Sequence, residues 1–362
     1  MNSVLHDRHT ALHAAFTDVT GWQVPQQYGD VRTEYQAVRS AVGLADLSHR
    51  GFLRVTGDDR IKWLQSILSN DLLPLKPGQG LYTSMLTHKG KMLTYVRLYV
   101  TPDAVLIEDV GEIGDTTAKT LKKFLLYGTK AKMETLTGAW GLLLLSGPKA
   151  LEVVRTALGV DLSSAAVPSL TTATFQEHPV LALRVEETGE QDVILATPNA
   201  SVVALWDQLR TVGGPAGLCP IGTHAREMLR IEAGLPKAGA DLNEEIVPPE
   251  ANLEGKAFSL NKGCYPGQEV VARMDTYGNV RRHLVGLVLK DAPVPTTGAK
   301  LFSGDREVGW ISSAIDSLQL GKPIALAYPL RDFSTPATEL TVEVDGRRLP
   351  ATVHTLPFFR RA

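Results

Sequence analysis

The chain of 362 residues carries 37 basic and 39 acidic side chains, so its formal net charge at pH 7 is −2. A charge this close to zero gives no overall field that would draw the protein to nucleic acid or to a membrane surface. Its two cysteines, Cys219 and Cys264, are far apart in the sequence, which excludes a disulfide framework or a cysteine-based metal site and favours a reducing compartment.

The length and the apolar content predict a globular protein with more than one domain. A chain this long exceeds what one small core can organise, and its 44% hydrophobic residues are ordinary for such proteins. No apolar run approaches the roughly 20 residues of a membrane span, and the N-terminus lacks the apolar stretch of a signal peptide. We therefore expect a cytoplasmic protein without a membrane partner.

The first hundred residues alternate predicted helices and strands. A short helix is expected around residues 34–42, and an alternating strand over residues 53–57 ends in a turn. An amphipathic helix then begins after two aspartates at 58–59. Two further strands, over residues 82–86 and 92–100, are joined by a short charged connector that contains a glycine. This arrangement predicts a hairpin.

A basic cluster accompanies the helix predicted over residues 113–127. Basic residues interleaved with aromatics, here Phe124 and Tyr127, can bind RNA. The solvated face of an exposed helix explains the same pattern more simply, because charge runs are common on such faces. Direct nucleic acid binding is therefore not expected, and an RNA-binding role is kept as an alternative. The lysines of the cluster are Lys119, Lys122, Lys123, Lys130 and Lys132.

The next part of the chain leads to a helix with two arginines on one face. Arg226 and Arg230 are four residues apart in a helix predicted over residues 224–233, so both could reach one carboxylate or heteroaromatic ligand. Surface pairing with Glu227 or Glu232 explains the same spacing. The elements predicted before it are strands over 140–146, 180–185 and 192–196, helices ending at 158 and spanning 199–212, and a loop over 217–222.

The stretch Lys262-Gly263-Cys264-Tyr265-Pro266-Gly267-Gln268-Glu269 is the strongest candidate for chemistry. The thiolate is the reactive form of cysteine, and a neighbouring cation such as Lys262 or a helix N-terminus favours it. Pro266 suits a first helical position, and Gln268 and Glu269 would lie in the first turn of that helix. A structural turn whose cysteine only packs is the simpler alternative.

The C-terminal part changes to short alternating strands separated by Gly, Pro and Asp. This spacing predicts a small antiparallel barrel. The strands are expected over residues 284–289, 300–302, 308–312, 324–328 and 340–344.

Taken in this order, the motifs resemble the folate-binding T-protein (GcvT-like) superfamily. The run from Lys262 to Glu269 resembles the signature of the YgfZ branch of that superfamily, and a run of eight residues with matching flanks is a specific signal. The other matching segments are residues 46–51, 69–71, 76–83, 225–234, 248–254, 271–273 and 278–282.

The resemblance implies an α+β fold with defined parts. A GcvT-like folate-binding body over residues 1–250 would contain two interleaved α/β subdomains, about 1–50 plus 138–250 and 51–137. The cysteine signature segment, 251–280, would precede a C-terminal antiparallel β-barrel over 281–362.

The resemblance also implies a cofactor, tetrahydrofolate or a one-carbon derivative of it. Arg226 and Tyr82 would line the folate pocket, with Gln268 as a further cofactor-binding residue. Cys264 would be the functional thiol, and Lys262 would favour its thiolate. No metal ligands are expected.

The sequence departs from the aminomethyltransferases of this superfamily at several positions. Thr94 and Tyr95 stand where those enzymes have a pair of aspartates after the hairpin turn. Neither can supply a carboxylate near neutral pH, because the reference pKa is about 4 for Asp but about 10 for Tyr. Glu187 and Ile194 stand where the family has a tyrosine and a pterin-contacting glutamate.

The YgfZ resemblance implies a folate-binding accessory protein that supports iron–sulfur cluster assembly or repair, with an indirect effect on tRNA modification. Its partners would be folate and iron–sulfur proteins or their assembly machinery. A tetrahydrofolate-dependent aminomethyltransferase of the glycine cleavage type is the main alternative, and the missing aspartate pair argues against a conventional enzyme of that type. An RNA-binding factor is a third alternative.

Overall fold

The computed structural model describes residues 1–278, 280–290 and 292–361, with the backbone alone at 275–277. Asn279, within one of the matching segments, lies outside the described residues. The strands are β1 (Ala15–Val19), β2 (Trp22–Gln27), β3 (Val42–Asp46), β4 (Phe52–Thr56), β5 (Gly80–Thr83), β6 (Val96–Val100), β7 (Ala104–Asp109), β8 (Lys132–Thr135), β9 (Trp140–Ser146), β10 (Ser169–Phe175), β11 (His178–Val185), β12 (Asp192–Pro198), β13 (Leu218–Pro220), β14 (Val285–Leu289), β15 (Lys300–Ser303), β16 (Arg306–Ser317), β17 (Lys322–Ala327), β18 (Glu339–Val344) and β19 (Arg347–His354). The helices are α1 (His6–Ala11), α2 (Val31–Ser40), α3 (Arg60–Ile67), α4 (Thr116–Lys123), α5 (Ala150–Leu158), α6 (Asn199–Gly213), α7 (Thr223–Glu232) and α8 (Gln268–Tyr277).

The chain forms two compact units, and each combines stretches that are distant in sequence. The expected division at residues 250 and 280 stays a prediction. Unit 1 contains Met1–Ser66, Leu72–Thr83 and Val96–Arg226, and unit 2 contains Ile67–Asp71, Ser84–Tyr95 and Glu227–Ala362.

One sheet of unit 1 has the strand order β10-β11-β12-β9-β3-β13. Its apolar face packs against α5 and α6, with Trp206 of α6 fully buried in that core. The prediction of a loop over residues 217–222 is wrong in its centre, where β13 forms. This strand pairs in parallel with β3 and places Leu218 opposite Val42. The sequence did not predict this strand, because a proline such as Pro220 is disfavoured in most strand positions. Pro220 is tolerated because β13 lies at the sheet edge, where a missing N–H disrupts no ladder.

The second sheet of unit 1 has the order β5-β6-β7-β4-β8. Strands β6 and β7 are buried along their whole length, yet each contains charged residues, Arg97 in β6 and Glu108 in β7. The helix predicted over 113–127 is confirmed in its centre as α4. On α4 the exposed Lys119 pairs with Asp115 at 2.9 Å, as expected for a solvated helix face.

Unit 2 contains the closed antiparallel barrel, in the order β14-β17-β16-β15-β18-β19. The predicted barrel and the α+β class are confirmed. Alternate residues of each strand point inward, and Leu287, Leu301, Ile311 and Val342 are among the buried side chains of its core. Strand β19 was not predicted, because its exposed Arg347 and Arg348 and its central Pro350 hide the alternating pattern.

Within the described part of the chain, no helix combines the length and the apolar character that crossing a bilayer would require. The cytoplasmic location stays a prediction.

Candidate functional site

A buried network of arginines and glutamates lies inside unit 1. Arg97 and Glu108 are register partners across β6 and β7, and Arg97 Nε donates to Glu108 Oε2 at 2.6 Å. Arg50, in the turn after β3, donates through Nη1 and Nη2 to the two oxygens of Glu187 at 2.7 and 2.8 Å. Arg97 also donates to Glu187, and Arg50 also donates to Glu108. Each arginine thus binds both glutamates, and we call these four residues the Arg–Glu network.

The loop between β11 and β12 holds Glu187 in place. The backbone N–H groups of Glu187 and Thr188 donate to Asp192 Oδ2 at 2.8 and 3.0 Å. Burial raises the pKa of Asp192 to about 6, although the hydrogen bonds that it accepts favour its charged form. The loop is therefore closed on itself, which fixes the direction of the Glu187 carboxylate.

The electrostatics of the network favour its charged form. Burial alone would raise the pKa of Glu187, but the charges of Arg50 and Arg97 outweigh it and lower that pKa. Arg226 adds to the same lowering. The Glu187 carboxylate is therefore ionised at neutral pH, held by guanidinium groups on several sides.

Tyr82 and Arg226, the two residues predicted to line the folate pocket, both lie beside this network. The Tyr82 hydroxyl accepts a hydrogen bond from the backbone N–H of Glu186 at 3.3 Å. The Arg97 guanidinium carbon lies 5.9 Å from the centre of the Tyr82 ring. Burial raises the pKa of Tyr82, so its hydroxyl stays protonated. The structure thus brings these two predicted residues to one polar interior.

A second group of polar side chains surrounds Arg226. Its side chain is largely buried, and its Nη2 lies 3.6 Å from Glu112 Oε1. The same Glu112 oxygen lies 3.5 Å from His49 Nε2, and the Glu112 side chain is 19% exposed. The Glu112 carboxylate thus keeps some contact with solvent and lies between a guanidinium and an imidazole.

The other predicted site residues, Cys264, Lys262 and Gln268, belong to unit 2. Cys264 is exposed. The Lys262 ammonium group donates to the carbonyls of Leu68 and Asn70 at 2.5 and 3.0 Å, and burial lowers its pKa to about 8. Gln268 Nε2 donates to the Lys262 carbonyl at 3.2 Å. Lys262 is thus directed at main-chain oxygens, and the catalytic pairing of Lys262 with Cys264 stays a prediction.

The signature segment packs on the hairpin that unit 2 takes from the first half of the chain. Gly267 has a φ of +80°, and a Cβ there would lie 2.5 Å from the Thr87 carbonyl oxygen and 2.8 Å from Gly90 Cα. Further along the hairpin, Thr94 and Tyr95 are buried, and Thr94 Oγ1 accepts from the Met85 N–H at 3.1 Å. The positions of the family's aspartate pair are therefore filled by buried, uncharged groups.

Sequence reasoning did not single out three members of the network, Arg50, Arg97 and Glu108. The signal that could have found Arg97 and Glu108 is a charged residue inside a strand whose neighbours are apolar, a signal that Arg50 in its turn does not give. Arg97 lies between Val96 and Leu98, and Glu108 follows a continuous apolar run in β7. Charged groups in such strands must be paired when they are buried, so each of them indicates that an oppositely charged side chain lies nearby in the fold.

Two family models match almost the whole chain. The GCVT N-terminal domain matches residues 5–262, and the glycine cleavage T-protein C-terminal barrel domain matches residues 282–360.

Full-length relatives and a solved structure agree with these matches. An aminomethyltransferase from Shouchella clausii is 31% identical over 100% of this chain and 98% of the relative. One from Moorella thermoacetica is 32% identical over 99% of this chain and 97% of the relative. The crystal structure of the glycine cleavage system aminomethyltransferase T from Bartonella henselae superposes with a TM-score of 0.89 and 25% identity, covering 99% of this chain and 98% of that one.

These matches correct the functional expectation drawn from the signature. Iron–sulfur cluster assembly or repair was expected as the main function, and this expectation is wrong. The two relatives named above match over nearly the whole chain and are aminomethyltransferases, and they support neither iron–sulfur partners nor a tRNA-related effect. The expectation rested on eight residues around Cys264 and on the missing aspartate pair, whereas these relatives match over nearly the whole chain.

Proposed function

The chain belongs to the glycine cleavage T-protein family, and from this membership we propose that it is a tetrahydrofolate-dependent aminomethyltransferase. The observation that carries the proposal is the polar interior of unit 1, where Tyr82, Arg226 and the Arg–Glu network meet. The charges of the network are buried and paired with one another, as buried charges must be, and this gives the interior a fixed polar wall.

Tetrahydrofolate is the cofactor of this family's aminomethyltransferases, in agreement with the expectation from sequence. When bound, it supplies the nitrogen atoms that accept the one-carbon unit. One observation tests whether the residues of unit 1 suit such a group. The buried Arg50 Nε–H finds no hydrogen-bond acceptor among the described residues. A ring nitrogen or carbonyl of a heterocycle would satisfy this donor, so the residues present fit.

Three side chains would hold the cofactor. Arg50 and Arg226 offer guanidinium donors, which suit heteroaromatic acceptors and carboxylates. Tyr82 offers a protonated hydroxyl and a ring face. The Arg–Glu network keeps Arg50 and Tyr82 in fixed positions before the ligand arrives, and such preorganisation reduces the entropy lost on binding.

The missing aspartate pair requires another carboxylate for proton transfer. We infer that Glu112 fills this role. It lies 3.6 Å from Arg226, a residue proposed to hold the cofactor, and 3.5 Å from His49, a group that can pass a proton onward. Glu112 Oε1 would accept the proton released as the methylene group moves from the aminomethyl carrier to the cofactor.

A binding experiment tests the cofactor part of the proposal. Tetrahydrofolate is titrated anaerobically into the wild type, Arg226→Ala and Arg155→Ala by calorimetry. Arg155 is an exposed arginine on α5 and serves as the matched control. We expect Arg226→Ala to weaken binding by about tenfold or more, the effect of losing a charge-assisted hydrogen bond. A wild type that does not bind tetrahydrofolate contradicts the proposal.

A turnover experiment tests the reaction. Tetrahydrofolate and an aminomethyl-lipoyl carrier protein are supplied, and the release of ammonia and of methylenetetrahydrofolate is followed. Glu112→Gln should lower kcat by about a hundredfold, as loss of general acid–base catalysis does, and leave tetrahydrofolate affinity nearly unchanged. Glu152→Gln, an exposed change on α5, should have no effect. Absence of turnover in the wild type would reject the aminomethyltransferase assignment.

Within the family, we propose that the segment from Lys262 to Glu269 marks the YgfZ branch. The support is the order of its residues and the packing of Gly267 on the hairpin. The proposal is one of relationship, and Cys264 and Lys262 remain candidate chemical residues in it. Cys264→Ser in the turnover assay above separates a chemical role, which lowers kcat, from a packing role, which does not.

A further inference from the structure

Unit 1 contains a cavity that lies apart from the Arg–Glu network. Its volume is about 810 Å³, within the range of roughly 300–1,000 Å³ typical of small-molecule sites. Residues from the ends of β4 and β7, from α4 and from the β1–β2 hairpin line it. The cavity therefore has the size of a site for a small molecule and is built from several elements of one compact unit.

This cavity and the Arg–Glu network lie on opposite faces of one sheet. Glu108 and Asp109 are neighbours on β7, and successive side chains of a strand point to opposite faces. Glu108 joins the network, whereas Asp109 lines the cavity. The two sites are distinct for this reason, although both depend on the same strand.

Asp109 is the unusual group of the cavity. Its side chain is 1% exposed, and its Oδ1 accepts a hydrogen bond from Thr117 Oγ1 at 2.5 Å. Its Oδ2 has no hydrogen-bond partner among the described residues. Buried carboxyl oxygens are nearly always hydrogen-bonded, so an unsatisfied one beside a cavity indicates a missing hydrogen-bond partner.

Gly51 makes room for this carboxyl group. A Cβ at Gly51 would lie 2.0 Å from Asp109 Oδ2, so any other residue there would displace it. The Asp109 backbone N–H donates to the Gly51 carbonyl at 3.0 Å, which keeps the two residues together. The small size of Gly51 and this backbone hydrogen bond thus hold Asp109 Oδ2 in its position.

The described lining of the cavity contains two carboxyl groups. It includes Asp109 and Asp115 and no lysine or arginine. Burial raises the pKa of Asp109 to about 8, and the charge of Glu108 also raises it. The hydrogen bond from Thr117 and the charge of Arg50 lower the same pKa. The other charged or titratable groups of the lining are His49, which faces Glu112, and the Met1 ammonium, which donates to the Gly21 carbonyl. Among the described lining residues, a positively charged ligand group would therefore meet the Met1 ammonium, which is bound to the Gly21 carbonyl, and no lysine or arginine.

The remaining wall suits a flat or apolar body. Trp22, Leu53 and Ile113 line the cavity together with Ala118. Aromatic faces attract organic cations, and apolar walls favour removal of a ligand's hydrocarbon part from water. The lining thus combines one carboxyl group at depth with an aromatic and aliphatic surface.

We propose that this cavity is a ligand site for a small organic cation, an amidine or amine carried on an aromatic or aliphatic body. The charged end binds Asp109 Oδ2, and the body lies against Trp22, Leu53 and Ile113. The site lies on the other face of the sheet from the Arg–Glu network, and it shares His49 with the surroundings of Glu112. Its ligand is not a reactant of the proposed transfer.

Benzamidine is the probe that tests this site, with benzamide as an uncharged probe of the same shape. Both are titrated by calorimetry into the wild type, Asp109→Asn and Asp115→Asn. Asp115 is the matched control, because it is the exposed carboxylate of the same lining and pairs with Lys119. We expect Asp109→Asn to weaken benzamidine binding by about tenfold or more and Asp115→Asn to change it by less than about twofold.

Two further readouts keep the test decisive. Ala118→Leu adds apolar volume inside the cavity without changing a charge, and it should weaken both probes. Benzamidine affinity in the wild type should rise with pH up to about 8 and then level off, because the cation requires an ionised Asp109. Equal binding of benzamidine to the wild type and to folded Asp109→Asn overturns the proposal, as does a wild type that binds neither probe.

Discussion

Arg97 and Glu108 form a two-point ion pair between adjacent strands in the interior of unit 1. Nε of Arg97 donates to Oε2 of Glu108 at 2.6 Å, and Nη2 donates to Oε1 at 2.9 Å. Both side chains are fully buried, so each charge depends on its partner for the stabilisation that hydration would give it at the surface.

Replacing Arg97 with Met should therefore destabilise the protein strongly. The change leaves the carboxylate of Glu108 buried with part of its hydrogen bonding removed, and breaking a buried pair in this way costs about 3–5 kcal/mol. Arg54→Met is the matched control on β4. Arg54 lies 3.4 Å from Glu134, but both side chains are about half exposed, and such surface pairs contribute only about 0–1 kcal/mol. Urea unfolding of both variants measures the difference, and equal losses would contradict a structural role of the network.

Replacing Asp109 with Asn should flatten the dependence of stability on pH. Burial raises the pKa of Asp109 in the folded protein to about 8, whereas an unfolded aspartate titrates near about 3.9. Between these values the folded chain keeps a proton that the unfolded chain has lost. The contribution of Asp109 to the free energy of unfolding therefore falls by about 1.4 kcal/mol per pH unit as pH rises, and it levels off above pH 8.

The measurement is urea unfolding of the wild type and of Asp109→Asn between about pH 5 and pH 9. The Asn side chain has nearly the same shape and can still accept from Thr117. The stability advantage of the variant should grow with pH and become constant above about pH 8. Parallel pH profiles for the two proteins would show that Asp109 is not protonated in the folded state at neutral pH.

Gly267→Ala should destabilise the signature segment, whereas Gly263→Ala should not. Gly267 has a positive φ and touches the hairpin backbone at Thr87 and Gly90, but a Cβ at Gly263 would meet no atom within 4 Å. Strain at a positive φ and overlap with a neighbouring backbone together cost about 2–4 kcal/mol. Thermal unfolding of the two variants gives the comparison. Equal midpoints would mean that the segment does not need its contact with the hairpin.

The two thiols should react at clearly different rates. Cys264 is exposed, whereas Cys219 is half-buried and donates through Sγ to the Pro220 carbonyl. Burial and the nearby Glu34 raise the pKa of Cys219, and the thiolate is the reacting form. Titration with a chromogenic disulfide near pH 7.5 should show a fast and a slow phase. Cys264→Ser should remove the fast phase alone, and loss of the slow phase instead would reverse the assignment.

The sequence was sufficient to predict the elements that have a strong periodic pattern. The barrel strands alternate, and α7 carries its arginines at helical spacing, so the barrel and the position of Arg226 followed from local pattern. These features depend on neighbours in the chain, which a single sequence displays. The role of Tyr82 rests on the resemblance of residues 76–83 to the T-protein superfamily and stays a prediction.

The features that were missed depend on partners distant in the chain. Arg97 and Glu108 are separated from Glu187 by most of the β6–β11 region. The local sequence around each of these residues gives no sign of which residues it pairs with in the fold. His9 illustrates the same limit. It is buried, and its Nε2 lies 3.0 Å from Asp46 Oδ2 in β3, a contact that the local sequence around His9 does not display.

The interleaving of the two units has a consequence for synthesis. Residues 67–71 and 84–95 leave the ribosome early, but the rest of unit 2 begins only at residue 227. Translation proceeds at about 5–20 residues per second, so this hairpin is exposed for many seconds before the segment that packs on it has been made. An incomplete nascent chain therefore exposes this hairpin, without the segment that later packs on it, to chaperones and proteases. No single cut in the gene would yield the two units as separate, complete polypeptides.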